Sequence, residues 1–134
     1  FFTGQYKPGE SVEKGSRFDS ETGQGKNYRQ RYWNESYFEA LDKIGPVANE
    51  YGLTLAEVAL RWISHHSLLS RDRGDAVLIG ASSVQHLESN LDDLEKGPLP
   101  ERVVQVLDEA WELVKPVATK VSPVQPYDSE RRQS

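Results

Sequence analysis

Five residues, Ala76-Val77-Leu78-Ile79-Gly80, constrain the fold of this chain more than any others. The run is too short for a helix and apolar at consecutive positions, which is how a strand buried on both faces reads. It is the only strand the sequence predicts. A strand needs a neighbour for its amides and carbonyls, so a lone, doubly buried one implies partners in further chain or in another molecule. The absence of methionine and the opening Phe1-Phe2-Thr3-Gly4 are likewise what a fragment is expected to show.

Around that run the periodicity is helical. Residues 1–33 carry no sustained repeat and read as one long loop, although "YRQRYW" sets Tyr28, Tyr32 and Trp33 beside Arg29 and Arg31, more aromatics than a disordered tail holds. Ser36 and Glu39 are spaced as a capping box, and Tyr37, Leu41, Ile44 and Ala48 share one face of the helix that follows. Gly45-Pro46 predicts a kink or break before that helix resumes to Tyr51 and stops at Gly52. Thr54 and Glu57 repeat the capping box for a second helix, ending near Leu69, with Leu55, Val58, Ala59, Trp62 and Ile63 as its stripe. Ser82 or Ser83 caps a third, carrying Leu87, Leu91 and Leu94 and ending at Gly97. A fourth starts at Pro100 and runs to about Val114, with Val103, Val104, Leu107, Ala110, Trp111 and Val114 inward. The proline-rich remainder is expected to be extended or disordered.

Composition narrows the partners. At 134 residues the chain can form one domain with a real core, and its net charge of −5 with no lysine or arginine block argues against nucleic acid or an acidic membrane surface. Without cysteine there is neither a disulfide framework nor a thiolate metal site. No apolar run approaches the roughly 20 residues that cross a bilayer. The expectation is a soluble, cytoplasmic chain.

The turn after the strand carries the most chemistry. A short strand, then Gly80-Ala81-Ser82-Ser83 and a helix N-terminus, gathers free amides, the positive end of a helix dipole and two hydroxyls at one point, an arrangement suited to a phosphate. The same serines would equally serve as plain helix caps, and the turn has neither the Walker pattern nor the glycine spacing of a Rossmann turn.

Read in order, "FFTGQYK", "GSRF", "YRQRYW", "EVALRWISHHS", "GDAVLIGASSVQHLESNL" and "GPLPERVVQVLDEAW" resemble the C-terminal part of the aldo-keto reductases over about residues 1–115. The branch containing the aflatoxin-aldehyde reductases is the nearest in pattern, with voltage-gated potassium channel beta subunits more distant. The resemblance implies an α/β fold, the C-terminal part of a (β/α)8 (TIM) barrel, which in isolation is mostly α-helical with about one strand. Residues 1–115 would form that part, with 1–33 as its cofactor and substrate loop and 116–134 as a tail.

It also implies NADPH as cofactor and a small carbonyl compound as substrate. On that pattern "AVLIG" is the eighth strand, Gly80, Ala81, Ser82, Ser83 and His86 hold the adenosine 2′-phosphate, and Asn90 lies at the adenine. Phe2, Thr3, Gly4 and Tyr6 match the loop that wraps the pyrophosphate, and Arg17 matches a cofactor-contacting arginine. Tyr28 and Arg31 match substrate-contacting positions. His86 stands where relatives carry glutamine or arginine, and a neutral imidazole offers one donor where arginine offers a fork and a charge.

The family's tyrosine, lysine, aspartate and histidine, which transfer the proton while the nicotinamide supplies hydride, belong upstream of residue 1, so no catalytic residue is assigned and the chain alone is expected to be inactive. Other constellations have plainer explanations. His65 and His66 point about 100° apart on a helix and cannot chelate together, so no metal site is expected and one is read as core, the other as surface. Asp92, Asp93 and Glu95 read as a solvated charge run, and Trp62 and Trp111 as core. Two alternatives stay beside the reductase: a non-enzymatic helical module that self-associates through its unpaired strand, and a channel-beta-like subunit that binds cofactor with little turnover.

Overall fold

The protein is described by a computed structural model covering residues 3, 7, 12, 14, 16 and 18–118, with only the backbone of Arg31. Among these residues it consists of helices α1 (Gly23–Tyr32), α2 (Glu35–Glu50), α3 (Leu55–His65), α4 (Val84–Glu95) and α5 (Glu101–Val114), plus a 3-10 turn at Arg71–Arg73.

Helix α1 occupies ground that reads as loop, because its stability does not come from an apolar stripe. Thr22 caps it, accepting from the Gly25 amide at 2.9 Å. Arg29 Nε donates to the Phe18 carbonyl at 2.6 Å, and its guanidinium lies 4.5 Å from the Trp33 ring centroid. Phe18 meets Tyr28 edge-on at 5.7 Å and Trp33 at 5.6 Å, and Trp33 meets Phe38 of α2 at 5.4 Å. The aromatics of "YRQRYW" thus dock a short helix onto its neighbour.

Helix α2 corrects the sequence-based expectation twice. Its cap is Asn34, whose Oδ1 accepts from the Tyr37 amide at 3.2 Å, so Ser36 lies inside the first turn and does not open the helix. The helix also continues through Gly45-Pro46 without a break. Pro46 is exposed, while Ile44 before it and Ala48 after it are both buried, at 2% and 1% exposure. Burial of a large aliphatic side chain contributes about 1.5–3 kcal/mol, enough to hold the two halves in line against a proline penalty of about 3 kcal/mol.

The remaining helices follow the apolar periodicity. Thr54 caps α3, accepting from the Glu57 amide at 3.0 Å, but α3 ends at His65, short of Leu69. Ser83 caps α4, which stops before Gly97, a residue whose φ of 71° favours glycine. Pro100 is the N-cap of α5. Helix α2 lies along α5, and α3 packs on α4 and α2. Ala40, Ile44, Ala110 and Val114 form one core cluster, and Ala48, Val58, Leu99 and Val103 another.

Three expectations fail here. Residues 76–80 do not form a strand: no strand occurs among the described residues, and Leu78 is 98% exposed. The cause is that no second strand among the described residues offers ladder partners, so the run stays without regular structure and largely uncovered. Asp93 belongs to no solvated charge run, being 7% exposed and bonded to Lys96 at 2.9 Å. Trp111 is exposed, although Trp62 is partly buried against the second cluster. His65 is exposed and His66 half-buried, as the helical spacing implied.

Candidate functional site

The turn at residues 80–83 delivers its polar groups to solvent. Ser83, as N-cap, accepts from the His86 amide at 3.1 Å. The Leu87 amide returns to the Ser83 carbonyl at 3.1 Å. The first two amides of α4, those of Val84 and Gln85, make no hydrogen bond among the described residues. They are the orphan donors of a helix start, where the dipole adds partial positive charge.

The side chains complete this end. Ser82 Oγ and His86 Nδ1 are hydrogen-bonded at 2.9 Å, which fixes the ring over the turn and leaves Nε2 without a partner among the described residues. Gly80, Ala81, Ser82, Ser83 and His86 are all exposed, and Asn90, one turn further along α4, is half-buried. Two amides, a hydroxyl and an imidazole nitrogen grouped at a helix N-terminus can bind an anion with several oxygens. With a neutral ring the Ser82–His86 pair has one hydrogen left to donate there, from Nε2 or from Oγ, and with a protonated ring it has two; no carboxylate stands within residues 80–87.

Tyr28 belongs to a different region. An apolar cavity of about 730 Å³ opens between α1, α2, α3 and α5, with Tyr28, Tyr32, Tyr37, Ile44, Trp62 and Trp111 among its walls. Tyr28 and Tyr32 lie 6.0 Å apart by ring centroid, and Tyr32 meets Tyr37 edge-on at 6.0 Å. Burial, and secondarily the neighbouring Tyr32, raise the Tyr37 phenol above its ordinary value of 10.0, so it enters this cavity as a neutral donor. No residue of the 80–90 segment lines the cavity.

The structure therefore brings Ser82, Ser83 and His86 together at one point, with Asn90 on the same helix, and places Tyr28 in the apolar cavity. Thr3 is exposed in a turn. Phe2, Gly4, Tyr6 and Arg17 lie outside the described residues, as does the Arg31 side chain. The cavity was not legible in the sequence, because its tyrosines come from two helices: Tyr28 and Tyr32 lie one turn apart on α1, and Tyr37 lies on α2. No group of three or more His, Cys, Asp or Glu able to hold a metal occurs among the described residues.

Comparison with known proteins adds what geometry cannot. The model of the Aldo/keto reductase family matches residues 1–112. An aldo-keto reductase of Pseudocercospora fijiensis is 57% identical over 103 residues, covering 77% of this chain and 34% of that protein. The aldo-keto reductase pigE of Monascus ruber is 48% identical over 120 residues, covering 87% of this chain and 35% of its own length. Aflatoxin B1 aldehyde reductase member 2 of Mus musculus is 44% identical over 91 residues, covering 65% of this chain and 25% of that protein. The chain spans about a third of the length of the first two relatives, at 34% and 35%.

Proposed function

The chain belongs to the aldo/keto reductase family, and from that premise we propose that it is the C-terminal, NADPH-binding part of an oxidoreductase that reduces aldehydes or ketones. Its helices are then the outer layer of the last part of a (β/α)8 barrel, and residues 76–80 are the last strand, awaiting the neighbours that an upstream segment supplies. The absence of a ladder partner for 76–80, together with the exposure of Leu78, fits that role.

The observation that carries this reading is the start of α4. The amides of Val84 and Gln85, the Ser82 hydroxyl and the His86 ring converge where a cofactor's adenosine 2′-phosphate needs donors. This agrees with the placement of phosphate sites at the last strands of such barrels. Asn90 stands beside the adenine, and Thr3 with Phe2, Gly4, Tyr6 and Arg17 belong to the pyrophosphate loop. NADPH, when bound, supplies hydride to the carbonyl carbon. Tyr28, which lines a wall of the apolar cavity, binds the substrate, and Arg31 is assigned to the same role by the family pattern alone. The proton-transferring tetrad lies upstream, so the chain alone binds cofactor without turnover, in a cytoplasmic setting.

Calorimetric titration of the chain with NADPH, NADH and adenosine 2′,5′-bisphosphate tests this. The two 2′-phosphate ligands should bind more tightly than NADH, and Ser82→Ala should weaken only those two, by about tenfold. Equal affinity for NADPH and NADH, unchanged by Ser82→Ala, would remove the site. Ser83 is unsuitable for the test because its loss also uncaps α4.

A second reading, self-association, has its own observation. Leu78, Val84, Leu87 and Leu91 are exposed along one continuous segment, so the chain presents an apolar surface that another molecule can cover.

A further inference from the structure

A polar junction ties α3 to the connection between α4 and α5. Arg61, 8% exposed, donates from Nε to the Gly97 carbonyl at 2.9 Å, from Nη2 to the Pro98 carbonyl at 2.6 Å and from Nη1 to Glu57 at 2.8 Å. Lys96 reaches Glu57 at 3.3 Å and Asp93 at 2.9 Å, so the four charged groups sum to zero. One turn along α3, His66 Nε2 accepts the Leu99 amide at 2.9 Å. Leu99 itself is 6% exposed and packs with Ala48, Val58 and Val103.

The two ties differ in chemistry. A guanidinium stays charged at every accessible pH, so the Arg61 bonds persist. The His66 bond needs a lone pair on Nε2, hence a neutral ring protonated at Nδ1; an imidazolium carries a proton on both nitrogens and sets N–H against N–H. We propose that His66 is a pH-sensitive latch: its neutral ring holds the Leu99 amide and seats the α4–α5 connection on α3, and its protonation releases that seat while Arg61 keeps the elements joined.

No surrounding carboxylate would hold a protonated ring in its seat. Glu57 and Asp93, the buried carboxylates at the junction, are already engaged by Arg61 and Lys96. At the start of α5, Arg102 pairs with Glu109 at 3.6 Å, and Glu101 is exposed. On α3 the only other titratable neighbour is the exposed His65, and in the 3-10 segment that follows Arg73 pairs with Asp75 at 3.4 Å while Arg71 and Asp72 are exposed. Among the described residues no carboxylate forms an ion pair with His66, so an imidazolium there gains no counter-charge.

The test is amide hydrogen exchange of the full chain labelled with 15N-leucine, corrected for the intrinsic pH dependence of exchange. Leu53, whose amide bonds to the Ala48 carbonyl at 2.9 Å, is the internal control. On passing from pH 8 to about pH 5.5, the range in which histidine changes charge, Leu99 should lose roughly tenfold in protection while Leu53 keeps its own. In His66→Gln, whose side-chain oxygen can still accept, Leu99 protection should no longer depend on pH. Equal loss at Leu53 and Leu99, or the same pH dependence in His66→Gln, would overturn the latch. If the variant does not fold, nitrogen shifts of the wild-type ring decide: an Nε2-protonated tautomer at pH 8 would also overturn it.

Discussion

At the residue scale the largest energetic stakes sit on Arg61. The guanidinium satisfies two backbone carbonyls and the Glu57 carboxylate, which is 5% exposed. Removing Arg61 leaves two backbone carbonyls without their donor and Glu57 with Lys96 alone, at 3.3 Å, so the cost falls toward the lower end of the about 3–5 kcal/mol of a broken buried pair. Urea unfolding of Arg61→Ala should show a loss of that order, whereas Arg102→Ala, whose pair with Glu109 is half-exposed on both sides, should stay within about 0.5 kcal/mol. Equal effects of the two substitutions would mean that the Arg61 cluster is not the anchor it looks to be. Nothing in "EVALRW" marks this arginine except its spacing of four from Glu57, because a charged residue on an amphipathic helix ordinarily faces water. Asp93 was misread for the same reason: a row of acids says nothing about which one meets a lysine against a neighbouring helix.

At the element scale, periodicity located α2 through α5 and missed α1. A sequence reading senses a helix by its stripe, and α1 has none; Phe18, Tyr28, Trp33 and Phe38 hold it by ring contacts that involve separate elements. The start of α2 was displaced because Asn34 and Ser36 both suit a cap, and only backbone geometry chooses between them. Asn34 has the extended φ and ψ of a cap and bonds the Tyr37 amide. Asn34→Ala should therefore destabilise the chain by about 1 kcal/mol and Ser36→Ala by almost nothing, measured by urea unfolding. The reverse order would restore the capping box at Ser36.

Lys96 makes a prediction about how α3 and α4 stay together. Its hydrogen bond to Asp93, then that to Glu57 and the charges of both, raise it above its ordinary value of 10.5 against an opposing desolvation. A group raised in the folded state contributes stability that is present below its unfolded value and is lost as pH rises through the folded one. The melting temperature should consequently fall more steeply above pH 10.5 in the parent chain than in Lys96→Met, where that titration is gone. Parallel alkaline profiles would remove Lys96 from the tie between α3 and α4.

At the scale of the whole molecule, what the sequence made legible was an apolar run in need of neighbours. A five-residue run that reads as buried on both faces has no meaning without neighbours, and the structure leaves that run without regular structure, with Leu78 98% exposed and Leu87 and Leu91 of α4 at 40% and 48%. The sequence could not say how the run behaves alone, because pairing is a property of two segments and the described residues offer no second one. On the reductase reading proposed above such a surface is covered by further strands of a barrel, on the self-association reading by another molecule, and the two outcomes separate in solution. Sedimentation of the purified chain should show association that strengthens with concentration, and Leu78→Lys with Leu87→Glu should shift it to monomer without altering its helix content, since neither residue is in either core cluster. On the proposed barrel reading, a segment of an aldo/keto reductase containing the preceding strands, added in trans, should suppress the association of the parent chain and fail to bind the doubly substituted one. A chain that stays monomeric at every concentration, and ignores both substitutions, would mean that the 76–91 surface needs no cover and that its apolar residues are not the seam of a larger fold.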